Sequence, residues 1–125
     1  MRIAIWGAGT LGRYITQQCQ TIMQVVYFVD NDAEKFGTYV DELPVINIDE
    51  LKRVYEDQLD GVVLGVFSMT NAASIIDQLQ KKGIRHVGIF SESIDLEKPI
   101  PWEKLLWLDQ VEKPVLPYLE VNVLS

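Results

Sequence analysis

Ile-Ala-Ile-Trp-Gly-Ala-Gly-Thr-Leu-Gly, residues 3–12, places a short apolar run directly in front of three glycines spaced G-x-G-x-x-G. The apolar run predicts a buried strand, and a helical pattern begins among the glycines. In this order Gly7 allows a tight turn out of the strand, Gly9 allows a phosphate close to the backbone, and Gly12 allows close helix packing. The N–H groups at the helix start, at the positive end of its dipole, favour an anion. The stretch therefore predicts a pyrophosphate-binding turn, although the same arrangement also serves as plain architecture in doubly wound folds.

A second predicted strand ends in a carboxylate. Residues 25–30 read Val-Val-Tyr-Phe-Val-Asp, and Asp30 lies eighteen residues beyond Gly12, close to the spacing of an acid that holds an adenosine ribose. A carboxylate there accepts hydrogen bonds from both ribose hydroxyls and repels a 2′-phosphate. We therefore expect NAD to be preferred over NADP unless a cation compensates. Lys35 is the nearest cation and Asp32 opposes it. The alternative is that Asp30 only orders the turn that follows.

Composition limits the class of protein. The chain has 125 residues, of which 48% are hydrophobic and 23% charged, as in one ordinary globular domain. No apolar run approaches the ~18 residues of a membrane span, and the first residues lead straight into the glycine turn without room for a secretory signal. A net charge of −7 argues against a nucleic-acid surface. The single Cys19 excludes an internal disulfide, and its place on an apolar helix stripe predicts a buried thiol. We expect a cytoplasmic protein without a membrane or nucleic-acid partner.

Hydrophobic periodicity predicts alternating strands and helices over residues 1–90. The predicted helices cover residues 10–22, residues 49–57 with Asp49 as N-cap, and residues 70–82 with Thr70 as N-cap. After the first two strands, the pattern predicts a hairpin of residues 38–40 against 44–48, a strand at 61–67 buried on both faces, and a strand at 86–90. This alternation predicts an α/β fold, a doubly wound, Rossmann-like parallel sheet in a single domain with an irregular, proline-rich C-terminal extension.

Right-handed crossovers would place the first strand between the second strand and strand 61–67. Ligands of such sheets bind at the carboxyl ends of the strands beside this switch point. The predicted site residues are Gly7, Ala8, Gly9, Thr10, Leu11, Gly12, Asp30, Asn31, Ser68 and Thr70. We expect them to bind NAD, or NADP or another nucleotide, without a metal ion.

Residues 91–125 have a different pattern. Four prolines interrupt regular structure, and an apolar cluster between Trp102 and Trp107 favours packing or an interface, with Pro101 opening a brief helix. Residues 118–125 alternate as a half-exposed strand does. The predicted division is a nucleotide-binding domain over 1–90 and an extension or linker over 91–125. The extension would mediate a homodimer or lead to a catalytic domain outside this chain.

Three stretches carry a family resemblance: residues 5–12, residues 26–37 and residues 43–46, Leu-Pro-Val-Ile. They resemble the Rossmann-type domain at the front of polysaccharide-biosynthesis nucleotide-sugar dehydratases and of related sugar-nucleotide and methyltransferase proteins. The resemblance covers about residues 1–90 and implies an NAD(P) or related nucleotide ligand. It places Gly7, Gly9, Gly12 and Asp30 on the family's binding positions. The family often has glycine before the Pro-Val pair, whereas this chain has Glu42 and Leu43, a departure that affects a turn.

The end of the chain carries a second resemblance. Residues 116–125, Leu-Pro-Tyr-Leu-Glu-Val-Asn-Val-Leu-Ser, resemble the first barrel strand of radical SAM enzymes, ahead of their three-cysteine loop. The resemblance implies that the chain is the front domain of a longer enzyme. The alternative is a generic edge strand.

The sequence contains no recognisable catalytic constellation. A Tyr-x-x-x-Lys pair is missing, and His86, the single histidine, stands at the start of a predicted strand, where a structural role is expected. The leading hypothesis is a Rossmann module that binds NAD(P) or another nucleotide, is not catalytic on its own, and forms the front of a sugar-nucleotide or radical SAM enzyme. The alternative is an interaction or regulatory domain with a vestigial pocket that docks or dimerises through residues 91–125.

Overall fold

The computed structural model describes residues 1–19, 23–66 and 69–110. The strands are β1 (Arg2–Trp6), β2 (Gln24–Val29), β3 (Tyr39–Val40), β4 (Leu43–Ile46), β5 (Gly61–Leu64), β6 (Val87–Phe90) and β7 (Leu105–Trp107). The helices are α1 (Thr10–Gln18), α2 (Ile48–Gln58) and α3 (Met69–Lys81). Short 3-10 turns cover Ala33–Lys35, Trp102–Lys104 and Leu108–Gln110.

The strands form one seven-stranded sheet in the order β3-β4-β2-β1-β5-β6-β7. Its five central strands are parallel, and β1 lies between β2 and β5 as predicted. Only the edge strands β3 and β7 run antiparallel. The order reverses at β1, so the switch point lies beside the carboxyl end of this strand. The Rossmann-like α/β fold is confirmed.

Both faces of the sheet are covered, which explains why the central strands are apolar without alternation. On one face, α2 and α3 bury Leu51, Ile76 and Leu79 against the sheet. On the other, α1 buries Leu11, Ile15 and Cys19. Burial of Cys19 is therefore confirmed, and the same burial raises the pKa of its thiol to about 11.

The helix boundaries differ from the predicted ones where local capping decides them. In α2 the N-cap is Asn47, whose Oδ1 accepts the N–H of Glu50 at 2.9 Å, so the prediction of Asp49 as the cap is wrong. Asn47 has extended backbone dihedrals and is placed by the end of β4, whereas Asp49 lies in the first helical turn. There its negative charge is favourable to the helix dipole. In α1 the helix ends at Gln18, and residues 20–22 of the predicted helix lie outside the described residues.

Strand β5 ends earlier than predicted, and helix α3 begins one residue earlier than predicted. Strand β5 ends at Leu64, directly before Gly65, and α3 begins at Met69. Thr70 therefore lies inside the first turn of α3 and is not its N-cap, contrary to the prediction. Phe67 and Ser68 lie outside the described residues.

Part of the proline-rich extension packs onto the sheet. Strand β7 pairs with β6, and Ile100 is buried against the same face as α1. Pro101 precedes the 3-10 turn at Trp102–Lys104 as its N-cap, close to the predicted brief helix. The Tyr14 hydroxyl donates to the carbonyl of Lys98, which ties the segment to α1. The predicted terminal strand at 118–125 lies outside the described residues.

Candidate functional site

The glycine turn after β1 is tightly built around Gly7. Gly7 has φ +106°, a conformation that residues with a Cβ rarely adopt, and its N–H donates to the carbonyl of Val29 at 2.6 Å. A Cβ at this position would lie 2.8 Å from the carbonyl oxygen of Gly65. Gly7 therefore has the conformational role in the turn that was predicted for it, and the contact with Gly65 adds a steric role that was not predicted.

Of the glycines in the turn, Gly12 leaves the least space for a Cβ atom. A Cβ there would collide with the carbonyl oxygen of Gly7, so only glycine lets α1 start this close to β1. Gly65, at the end of β5, completes the arrangement, because a Cβ on Gly65 would lie 2.9 Å from the Cα of Gly12. Gly65 was not among the predicted site residues. The available signal was a glycine that interrupts an otherwise apolar run.

Gly9 differs from Gly7 and Gly12, the other two glycines of the motif, in that neither its backbone conformation nor its surroundings require glycine. Its backbone is extended (φ −95°, ψ −162°), and a Cβ there would meet nothing within 4 Å. Packing of the protein therefore does not require glycine at this position. The open space above Gly9 is where the motif places a phosphate.

The start of α1 offers hydrogen-bond donors toward this space. The first intrahelical N–H belongs to Arg13, which donates to the carbonyl of Gly9 at 3.0 Å, and no side chain caps the helix. Within the described part of the chain, no acceptor contacts the backbone N–H groups of Gly9, Thr10, Leu11 and Gly12. The first turn also contains no acidic residue. Donors and dipole together favour an anion at this point.

Asp30 reaches across from the end of β2 to the glycine turn. Its Oδ2 accepts the N–H of Ala8 at 3.0 Å, and its Oδ1 accepts the N–H of Asp32 at 2.9 Å. The carboxylate therefore both faces the site and orders the following turn, as the alternative prediction had it. Because the N–H of Ala8 is used in this way, it is not available to a ligand, and the donors of the site begin at Gly9.

The carboxylate of Asp30 is held in its charged form. Burial alone raises the pKa of Asp30, but the hydrogen bonds from the N–H groups of Ala8 and Asp32 and the nearby Lys35 ammonium outweigh it, so this pKa lies below its ordinary value of 3.8. Lys35 Nζ lies 3.6 Å from Oδ2, and the side chain of Asp30 is 18% exposed. A fixed, ionised acceptor therefore stands at the carboxyl edge of β2.

The turn after Asp30 is acidic and internally bonded. Asp32 Oδ1 accepts the N–H of Glu34 at 3.0 Å, and the N–H of Lys35 donates to the carbonyl of Asp32 at 2.9 Å. Asn31 lies exposed at its start. We call residues 30–35 the acidic turn.

Arg13, in the first turns of α1, is directed away from the site. Its Nε and a terminal guanidinium nitrogen bond the two carboxylate oxygens of Asp41 at 2.9 and 3.0 Å. Asp41 and Glu42 form the tip of the β3–β4 hairpin with φ of +47° and +68°. The ion pair holds the pKa of Asp41 below and that of Arg13 above their ordinary values.

A second polar cluster lies near the amino end of β6. The His86 ring stacks on Trp107 with ring centroids 4.1 Å apart, and its Nδ1 lies 2.9 Å from Asp109 Oδ1. Trp107 fits flat on the sheet because Gly61 and Gly88 have no Cβ to oppose it. These contacts give His86 a structural role that joins β7 to the sheet.

The other predicted site residues are only partly described. Thr70 lies in the first turn of α3, on the β5 side of the switch point, while Ser68 lies outside the described residues. No group of three or more His, Cys, Asp or Glu side chains able to hold a metal ion occurs among the residues that the structure describes. In the same residues, no helix is both long and apolar enough to cross a membrane.

The parallel sheet, the glycine turn and the acid at the end of β2 together define a Rossmann-type domain. The match to a family model is direct: residues 1–93 match the CoA binding domain. The chain therefore belongs to the CoA binding domain family. No match was found among curated proteins.

Solved structures share the fold. A UDP-D-quinovosamine 4-dehydrogenase from Vibrio fischeri superposes with a TM-score of 0.70 at 18% identity, over 99% of this chain and 98% of that one. RSP, a Rex-family repressor solved with β-NADH, gives a TM-score of 0.57 at 24% identity over 78% of this chain and 48% of RSP. UDP-N-acetylglucosamine 3-dehydrogenase GnnA from Acidithiobacillus ferrooxidans gives 0.51 at 23% identity over 71% and 28%. The predicted likeness to sugar-nucleotide proteins with a Rossmann domain is confirmed.

Proposed function

We propose that this domain binds an adenine dinucleotide, NAD in the first place, across the carboxyl edge of β1 and β2. In this proposal the pyrophosphate lies over Gly9 and accepts the N–H groups at the start of α1. The ribose hydroxyls donate to Asp30. The observation that carries the proposal is the hydrogen bond from Ala8 to Asp30, because it holds an ionised acceptor beside Gly9, where a Cβ would meet open space, and beside N–H groups that no described residue accepts.

The spacing of charges supports this orientation of the ligand. The end of α1 at the site carries N–H donors that are unpaired among the described residues, and these favour the negatively charged pyrophosphate. The neighbouring carboxylate favours the neutral, hydroxyl-bearing ribose. RSP, which shares the fold, is seen with β-NADH and with β-NAD+ and operator DNA. For this chain we propose the nucleotide alone, since its net charge of −7 opposes binding to DNA.

Binding, not chemistry, is the function proposed for these residues. We infer that the domain presents its nucleotide to a catalytic region of a larger enzyme of the sugar-nucleotide or radical SAM type, with residues 91–125 as the connection. The chain spans 48% of RSP and 28% of GnnA. Both proteins therefore combine a domain of this fold with further polypeptide.

Titration calorimetry with NAD and NADH tests the proposal, with the variant Gly9→Val beside the wild type. At 100 times its dissociation constant, a ligand adds about 2.7 kcal/mol to the free energy of unfolding. We expect Gly9→Val to abolish binding because its side chain enters the proposed phosphate position. We expect its stability without ligand to stay within about 1 kcal/mol of the wild type, since its Cβ meets open space.

Two results would contradict the proposal. The first is a wild type that binds neither NAD nor NADH, nor NADP or another adenine nucleotide, which would favour a docking or regulatory domain with a vestigial pocket. The second is unchanged binding by Gly9→Val, which would place the ligand elsewhere. Glu56→Gln, an exposed substitution near the far end of α2, is the matched control and should bind as the wild type does.

A further inference from the structure

The family to which the chain belongs is named for the binding of CoA, whose adenosine ribose carries a 3′-phosphate. The part of CoA that it shares with NAD, an adenosine joined to a pyrophosphate, fits the glycine turn and the donors at the start of α1. The ribose phosphate has to fit the acidic turn at residues 30–35, beside which the ribose is expected to lie. The fit of this group therefore depends on the charges and free donors of the acidic turn.

The backbone donors of the acidic turn are largely used by the protein itself. Asp30 Oδ1 accepts the N–H of Asp32, and Asp32 Oδ1 accepts the N–H of Glu34. The N–H of Lys35 donates to the carbonyl of Asp32. Two successive carboxylates thus occupy donors that a ribose phosphate would need to replace its water shell.

The charges of the acidic turn add to this effect. Three carboxylates, those of Asp30, Asp32 and Glu34, stand against the one cation of the turn, Lys35. The Lys35 ammonium lies 3.6 Å from Asp30 Oδ2 and already balances that charge. A phosphate that attracted Lys35 would leave the half-buried Asp30 without its counter-ion, next to a dianion.

The same contacts leave room for a hydroxyl group. A carboxylate accepts about four hydrogen bonds, two at each oxygen. Among the described residues, Oδ2 of Asp30 faces Ala8 and Lys35, whereas Oδ1 faces only the N–H of Asp32. One acceptor direction of Oδ1 therefore stays open for a ribose hydroxyl donor.

We infer that this site selects nucleotides whose adenosine ribose carries free hydroxyls, and that the acidic turn rejects the ribose phosphate of CoA and of NADP. The inference rests on the proposed function, since it concerns the ribose end of the same ligand. It implies that this chain does not bind CoA, the ligand after which its family is named. Its ligands are NAD, or another adenosine diphosphate derivative without a ribose phosphate.

Two matched pairs of ligands test the inference on the unmodified chain by titration calorimetry. CoA and dephospho-CoA differ only in the 3′-phosphate, and NADP and NAD differ only in the 2′-phosphate. We expect the ligand without the phosphate to bind at least about tenfold more tightly in each pair that binds. Equal or tighter binding of CoA or NADP would overturn the inference and leave the proposed function intact. A chain that binds none of the four ligands would refute both.

A variant that removes one charge from the acidic turn tests whether this turn causes the preference for ligands without a ribose phosphate. Asp30→Asn keeps a side-chain oxygen as acceptor but removes the charge that opposes the phosphate. We expect the preference within each pair to fall by about tenfold or to reverse, whereas the control Glu56→Gln removes one surface charge far from the site and should keep the wild-type preference. An unchanged preference in Asp30→Asn, with the fold verified by circular dichroism, would contradict the assignment.

Discussion

Two turns follow neighbouring parallel strands at the same edge of the sheet. They differ in whether their backbone N–H groups have hydrogen-bond acceptors. After β1, the glycine turn leaves the donors of residues 9–12 without an acceptor among the residues that the structure describes. After β2, the acidic turn satisfies the donors of Asp32 and Glu34 with its own carboxylates. This difference is the reason why we propose a phosphate at the first turn and a neutral hydroxyl group at the second.

The two turns are joined by one hydrogen bond, from Ala8 to Asp30. This bond sets the distance between the proposed pyrophosphate and ribose positions. The different behaviour of the two turns depends on two physical conditions, the close approach of the glycines and the fixed carboxylate of Asp30. Each condition can be removed by a single substitution.

The largest effect is expected from Gly12→Ala. The new Cβ would collide with the carbonyl oxygen of Gly7, and because both atoms belong to the main chain, the clash is relieved only by moving α1 from β1. We expect a loss of about 3 kcal/mol or more in the free energy of unfolding, measured by urea denaturation. Gly9→Ala is the matched control, with a change of less than about 1 kcal/mol because its Cβ meets open space. Equal losses in the two variants would contradict the described geometry of the turn.

Asp30→Ala should have the next largest effect. It leaves the N–H groups of Ala8 and Asp32 without their charged acceptor, so the two turns lose their connection. We expect a loss of about 2 kcal/mol in the free energy of unfolding without ligand. Asp57→Ala, at an exposed position of α2, is the control and should change stability by less than about 0.5 kcal/mol. A fully stable Asp30→Ala variant would show that the bond to Ala8 contributes nothing to the fold.

The contribution of Asp30 should also depend on pH. Its pKa is lower in the folded chain than its ordinary value of 3.8, so the folded state favours the ionised form and gains stability above that value. This gain is lost as the pH falls through the folded pKa. The difference in unfolding free energy between wild type and Asp30→Asn should therefore be constant above about pH 5 and shrink below it.

Urea denaturation at several pH values between about 3 and 7 measures this difference. Asp57→Asn removes the same charge from an exposed position and serves as the comparison variant. A difference between wild type and Asp30→Asn that grows as the pH falls would have the wrong sign and would contradict a lowered pKa of Asp30.

The smallest effect concerns a third turn, at the tip of the β3–β4 hairpin. Here the left-handed conformation is held by Asp41 and Glu42 and not by glycine, in contrast to Gly7. Glu42→Gly should raise the free energy of unfolding by about 1 kcal/mol, because glycine relieves the steric cost at φ +68°. Thermal and urea denaturation measure the gain. A loss of stability would mean that contacts of the Glu42 side chain outweigh its backbone strain.

Much of this site was predictable because its signals are local. The G-x-G-x-x-G spacing, the apolar run before it and the acid at the end of β2 all lie within residues 3–30. The boundaries of α2 and α3 were less predictable, because more than one residue near each helix start is able to cap it. The hydrogen bond by which Asn47 caps α2 depends on the position and direction of the backbone at the end of β4.

Contacts between distant segments were not predictable from sequence spacing. Gly65 belongs to the glycine turn only because β5 lies next to β1 in the sheet, so that a Cβ on Gly65 would lie 2.9 Å from the Cα of Gly12. Arg13 bonds Asp41 only because the hairpin lies beside α1. The sheet order decides both contacts.

The sequence by itself determined that this protein is a Rossmann-type domain with a tight glycine turn after its first strand, because glycine spacing and apolar periodicity act over a few neighbouring residues. Only the tertiary structure decided how the charges of the site are arranged: Asp30 on the N–H of Ala8, Lys35 on Asp30, and the acidic turn closed on itself. The reason is that hydrogen bonds and ion pairs act over a few ångströms. Which groups come that close depends on the pairing of strands far apart in the chain.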